Sequence, residues 1–118
     1  MSNIMATEFV VPVQQSMNEV LQALGDPQIV AVSALRRYLV DVCWQRVEQA
    51  KRQIVRYEQK YGTTYEQFNQ RVGTDETFLE AVNRKHPTWE ADAIEWQYRL
   101  EELQTWQKRL ENILRESC

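Results

Sequence analysis

The chain has 118 residues, 43% of them hydrophobic and 26% charged, and a formal net charge of −3. A chain of that length makes one domain that buries about two thirds of its unfolded surface, and so mild a negative charge argues against general affinity for nucleic acid. Three glycines and three prolines are too few for a strand-and-turn architecture, which needs turn residues roughly every 8–12 positions.

Charge is unevenly placed. Residues 1–35 contain no lysine or arginine, only Glu8, Glu19 and Asp26. Residues 36–60 hold seven basic and three acidic side chains, a balance of +4; residues 61–118 hold seven basic and eleven acidic, a balance of −4. Either a basic helix lies on an acidic one within the fold, or one of these faces meets an oppositely charged partner. Cys43 and Cys118 are the only cysteines, without metal-ligand or CxxC spacing, which points to a reducing, cytoplasmic compartment. Cys118 ends the chain, where mobility is expected. Met1–Val13 lacks the basic start and continuous apolar core of a signal peptide. No run approaches the ~18 apolar residues of a membrane span.

In chain order, Glu8–Val13 (EFVVPV) has the composition of a short strand, and Pro12 restricts it to an edge or terminal one. Gln14–Leu24 reads as a helix with Met17, Val20, Leu21 and Leu24 inward, stopped by Gly25. Asp26 and Pro27 are the N-cap and first residue of the next helix, which runs to Tyr61, about 50 Å at ~1.5 Å per residue. Its apolar residues Leu35, Leu39, Cys43, Val47, Ala50, Ile54, Tyr57 and Tyr61 hold one face, and Gly62 ends it. A helix that long suggests a partner helix from a second copy or another protein. Thr63 and Glu66 have capping-box spacing and open a short helix through Val72, ended by Gly73. Thr74 caps the next, with Asp75 and Glu76 in its first turn, and His86-Pro87 closes it. Thr88 caps the last helix, Trp89–Arg115, whose seam of Trp89, Ala93, Trp96, Leu100, Leu103, Gln107, Leu110 and Leu114 repeats the heptad-like spacing. Trp106 and Ile113 widen that seam. Two such helices make a hairpin, formed within one chain or between two.

No catalytic grouping emerges. His86 is the only histidine and sits in a helix-ending context, and no HExxH, GxxxxGK, GxGxxG or GxSxG motif occurs. Glu90, Asp92 and Glu95 read as an acidic helix start rather than a metal cluster. An enzyme is not expected, nor a cofactor or metal. Arg52, Arg56 and Lys60 form a basic line headed by Glu48, read as a solvated or ion-paired face. Trp44, Trp89, Trp96 and Trp106 suit either a core or partner anchoring.

Two segments, Tyr57-Glu-Gln-Lys-Tyr-Gly-Thr-Thr-Tyr-Glu-Gln-Phe68 and Trp89-Glu-Ala-Asp-Ala-Ile-Glu-Trp-Gln-Tyr-Arg-Leu100, give a KYG…WExDxxEW pattern over about Gln53–Leu103. The pattern resembles small helical bacterial and archaeal proteins of uncharacterised or antitoxin type. That resemblance implies a protein that neutralises a toxin, such as a basic one, through Trp89, Glu90, Asp92, Glu95 and Trp96. The N-terminal part, with Ala34-Leu-Arg-Arg-Tyr-Leu39, is similar to a ribbon-helix-helix repressor, whose paired strands enter the DNA major groove. The candidate strand has no cation, and Gly25-Asp-Pro-Gln28 departs from that family, so a dimerisation device without base readout is the expectation.

The expected fold is all-α: a single domain on a long antiparallel helical hairpin, with short connecting helices and an apolar N-terminal arm. Its segments are residues 1–25, 26–62, 63–87 and 88–116. The expected function is protein–protein binding as an antitoxin-like partner that occludes a toxin's active surface. Homodimerisation is expected through Phe9, Val11, Val13, Leu35 and Leu39. The alternatives are a DNA-binding autoregulator and a coiled-coil adaptor.

Overall fold

Caps and glycine stops divide the chain into five α-helices: α1 Gln15–Leu24, α2 Pro27–Tyr61, α3 Tyr65–Thr74, α4 Glu76–Lys85 and α5 Trp89–Arg115. The computed structural model describes residues 8–116; the expectations placed on residues 1–7 of the arm and on Cys118 lie outside the described residues. Asp26 starts α2 by accepting the backbone N–H groups of Gln28 at 3.0 Å and Ile29 at 3.2 Å, with Pro27 at the first position, where a missing N–H costs nothing. Gly62, at φ +70°, takes the left-handed conformation just past α2, and its N–H closes on the Glu58 carbonyl at 2.7 Å. A side chain is strained there, so glycine sets where the helix stops.

The helices belong to two compact units, one ending at Arg37 and one beginning at Tyr38. The dividing line falls inside α2. In the second unit the core is built from one buried side chain of each of four helices: Ile54 of α2, Phe68 of α3, Val82 of α4 and Trp96 of α5. Tyr57, Tyr61, Trp89, Leu100 and Leu103 pack around them. Cys43, Val47 and Ala50 of α2 and Leu110 of α5 are buried as well. Helices α2 and α5 run antiparallel: Arg46 lies over the Trp106 ring, Tyr57 stacks on Trp96, and Lys60 reaches Asp92, so numbers rise on one helix as they fall on the other. This is the expected all-α hairpin, with α3 and α4 as its short connecting helices.

Several local expectations need correction. Glu8–Val13 is irregular chain, not strand; among the described residues no strand lies beside it to take up its backbone groups, and Pro12 has no N–H to offer. The strand that the ribbon-helix-helix resemblance implies is therefore not formed by residues 8–13 of the single chain. Helix α3 is capped by Thr64, which accepts from the Gln67 N–H at 3.3 Å. Thr63 lies in the Gly62 turn and donates to Gln67 Oε1 instead. Gly73 does not end α3, which continues through Thr74. The break falls at Asp75, whose N–H closes on Arg71 O at 2.8 Å while its carboxylate caps α4 by accepting from Phe78 N–H at 3.0 Å. One extended residue thus ends one helix and starts the next, displacing Thr74 from the cap. Thr88 occupies the N-cap of α5 without a side-chain cap bond, because its backbone is turned away from the extended conformation that aims a hydroxyl at the helix.

Phe68 and Trp96 are each 0% exposed. Replacing either by Ala is expected to lower the unfolding free energy by about 3–5 kcal/mol through lost burial and the cavity left behind. Ile94→Ala, at a position 73% exposed, should change it by no more than about 0.5 kcal/mol. Urea denaturation followed by circular dichroism checks both.

Candidate functional site

The last turns of α2 and the first turns of α5 meet across a polar seam. Tyr57, Lys60 and Tyr61 are three or four residues apart and share one face of α2; Asp92 and Glu95 do the same on α5. Asp92 accepts hydrogen bonds from Lys60 Nζ at 2.7 Å and from the Tyr61 hydroxyl at 2.7 Å. Glu95 accepts from the Tyr57 hydroxyl and from Arg99 Nη2 at 3.3 Å, and Arg99 Nη1 continues to Glu102 at 2.9 Å. Beneath this network Trp96 stacks against both tyrosines, with ring centroids 5.7 Å from Tyr57 and 5.8 Å from Tyr61. Its indole Nε1 is buried without an acceptor, enclosed by the rings of Tyr57, Tyr61, Tyr65 and Phe68.

The seam perturbs its own titration. Burial, then the hydrogen bond to Glu95 and the neighbouring carboxylate charges, push the Tyr57 phenol up to about 12. Burial and the bond to Asp92 raise Tyr61 above the ordinary phenol range. Burial alone would raise Asp92, but the hydrogen bonds from Lys60 and Tyr61 and the Lys60 charge hold it below the usual carboxylate value. Arg99 is raised by its bonds to Glu102 and Glu95 against the opposing effect of burial.

These contacts redistribute the residues singled out from sequence. Trp89 is half-buried against Phe68, with its Nε1–H donating to Asn83 Oδ1 at 2.7 Å. Trp96 is wholly buried and offers no surface to a partner; it belongs to the core because the α2 tyrosines and Phe68 close over it. Asp92 and Glu95 are engaged within the chain. Only Glu90 of the five is exposed and free of ion pairs. Beside it the sequence reading missed Ile94, 73% exposed, and Tyr98, also exposed. Glu90, Ile94 and Tyr98 are four apart and Glu101 lies three further on, so they share an outward face of α5. The signal was available: Ile94 falls just off the apolar seam, next to Ala93 on it. Of the basic line, Lys60 is held by Asp92 and Arg56 reaches only Gln53, at 3.5 Å. Between them a groove of about 310 Å³ is lined by Gln53, Arg56, Tyr57, Lys60, Asp92 and Glu95. Among the described residues no group of three or more His, Cys, Asp or Glu side chains is placed to hold a metal ion, and no helix is long and apolar enough to cross a membrane.

The second surface is apolar. Phe9, Val11, Val13, Leu35 and Leu39 are all exposed, as are Val10, Met17, Val20, Leu24, Ile29 and Val32. From Glu8 to Val42 no residue is buried; the first is Cys43. The apolar stripe read along α2 therefore divides, with Leu35 and Leu39 open and Cys43, Val47, Ala50 and Ile54 covered.

The raised phenols give alkaline pH a definite effect. A group whose folded pKa is raised contributes stability fully below its unfolded value of about 10 and loses it as pH climbs through the folded one. The melting temperature is therefore expected to fall between about pH 10 and pH 12, and Tyr57→Phe/Tyr61→Phe should flatten that fall while lowering stability at neutral pH by about 1–3 kcal/mol. Asp92 has the opposite sign, its contribution present above about pH 4 and lost as acid protonates it. Thermal melts across the pH range measure both limbs.

The chain matches no protein-family model, no curated protein and no solved structure.

Proposed function

We propose that this chain works by binding protein, and that its closest functional counterpart is the antitoxin-like half of a toxin–antitoxin pair, as the KYG…WExDxxEW resemblance implies. The observation that carries the protein-binding reading is the helical segment without a core. Residues 8–42 include no buried side chain, although α1 and the start of α2 carry large apolar residues. Large apolar side chains left exposed in this number mark an interaction site. That segment carries no cation before Arg36, which disfavours both nucleic acid and an anionic membrane surface as its occupant.

The face of α5 formed by Glu90, Ile94, Tyr98 and Glu101 suits a second, different contact. Two exposed apolar side chains flanked by carboxylates are the composition of an anchor with a charged rim. Steering of a basic partner by the acidic surplus of residues 61–118 raises association rate more than affinity. Neutralisation would then be steric and electrostatic occlusion, with no chemistry by this chain.

The test is co-expression with the product of the neighbouring reading frame. The antitoxin reading expects the two proteins to co-purify and the growth defect caused by that product alone to be relieved. Glu90→Lys/Ile94→Lys/Glu101→Lys should weaken capture by about tenfold or more through like-charge repulsion, while leaving helix content unchanged. Asp92 and Glu95 are left intact because their removal would loosen α2 from α5 and confuse binding with folding. Undiminished capture by that variant places the contact elsewhere; absence of any interaction removes the antitoxin reading.

A further inference from the structure

We infer that the occupant of the open apolar face of α1 and early α2 is a second copy of this chain, laid antiparallel about a two-fold axis. The inference rests on the protein-binding reading and adds the partner's identity and orientation. Met17, Val20, Leu24, Ile29, Val32 and Leu35 are exposed, together with the apolar residues of the arm. A standard interface takes ~800 Å² from each partner, and these large side chains stand open along both helices and the arm.

Charge sets the orientation. The acids Glu8, Glu19 and Asp26 all precede the two arginines that close the segment, Arg36 and Arg37. None of the five forms an ion pair within the chain, and Arg36 Nε has no acceptor. Asp26 and Arg36 stand ten residues apart at the two ends of one apolar stretch of α2, about 15 Å at ~1.5 Å per residue. A copy packed antiparallel, with the axis near Ala31, sets the acidic end of each segment against the arginines of the other. A parallel copy would set like charge on like. An isologous interface requires this self-complementarity, and the segment has it in both its apolar stripe and its charge order.

The experiment is sedimentation equilibrium on the full chain and two charge variants. Arg36→Glu/Arg37→Glu makes the segment wholly acidic. Glu8→Lys/Glu19→Lys/Asp26→Asn makes it basic while Asn preserves the α2 cap. The parent is expected to be a dimer, each variant alone to dimerise at least about tenfold more weakly, and their equimolar mixture to recover the parent's affinity, since only the mixed pair restores opposite charges at both ends. Circular dichroism of each variant controls for folding. Variants that fail to weaken the dimer, or a mixture that fails to recover, overturn the antiparallel register. A parent that stays monomeric at high micromolar concentration overturns the second-copy proposal. If that monomer still captures a co-expressed partner, and Val20→Glu/Val32→Glu abolishes the capture, the protein-binding reading survives without it.

Discussion

Burial of Trp96 is the constraint on which the second unit depends. An indole without exposure, stacked on two tyrosines of α2 and touched by Tyr65 and Phe68 of α3, gathers three helices around one side chain. Helix α4 joins through Phe78 on Phe68, and α5 returns through Trp89 on the same ring. Aromatic pairs of this geometry add to the area they bury. Large rings also keep the helix axes apart, so α2 and α5 communicate through side chains. The core is small, and its two largest buried side chains, Trp96 and Phe68, are aromatic.

That arrangement decides the fate of the polar groups above it. Once Tyr57 and Tyr61 lie flat on the indole, their hydroxyls emerge at the edge of the seam, where they need acceptors. Asp92 and Glu95 supply the acceptors, and Lys60 and Arg99 balance the charge. Acids that read in sequence as a recognition surface are therefore drawn into the fold as stitches. Glu90, Ile94, Tyr98 and Glu101 lie instead on an outward face of α5, where all four are exposed.

The opposite situation holds in residues 8–42, where apolar side chains are present and none is buried. Helix formation there follows from local signals: the Asp26 cap, Pro27 at the first position and the Gly25 stop. Such signals decide that a helix forms but contribute about 1 kcal/mol each, well below what burying a face supplies. A segment with strong local signals and no buried side chain keeps its apolar face open.

Much of the fold was legible in the residues themselves. The 3.5-type spacing in α2 and α5, Gly62 after Tyr61, and the Asp26-Pro27 start are local or periodic, and local hydrogen-bonding rules determine them whatever surrounds the chain. Competing caps were not legible: Thr63 against Thr64, and Thr74 against Asp75, are adjacent candidates whose choice depends on where the turn places each backbone. The alternation of apolar and polar residues announced two stripes, yet an apolar residue reads the same whether its stripe is covered or open. Only the tertiary structure separated Cys43, Val47, Ala50 and Ile54, which α5 and the short helices help to bury, from Leu35 and Leu39, which they do not. It likewise separated Asp92 and Glu95, held by tyrosine hydroxyls of α2 and by Lys60 and Arg99, from Glu90, two residues before Asp92 and free of ion pairs. Composition and period determine which faces exist; which faces remain for a partner is settled by what the chain's own side chains reach first.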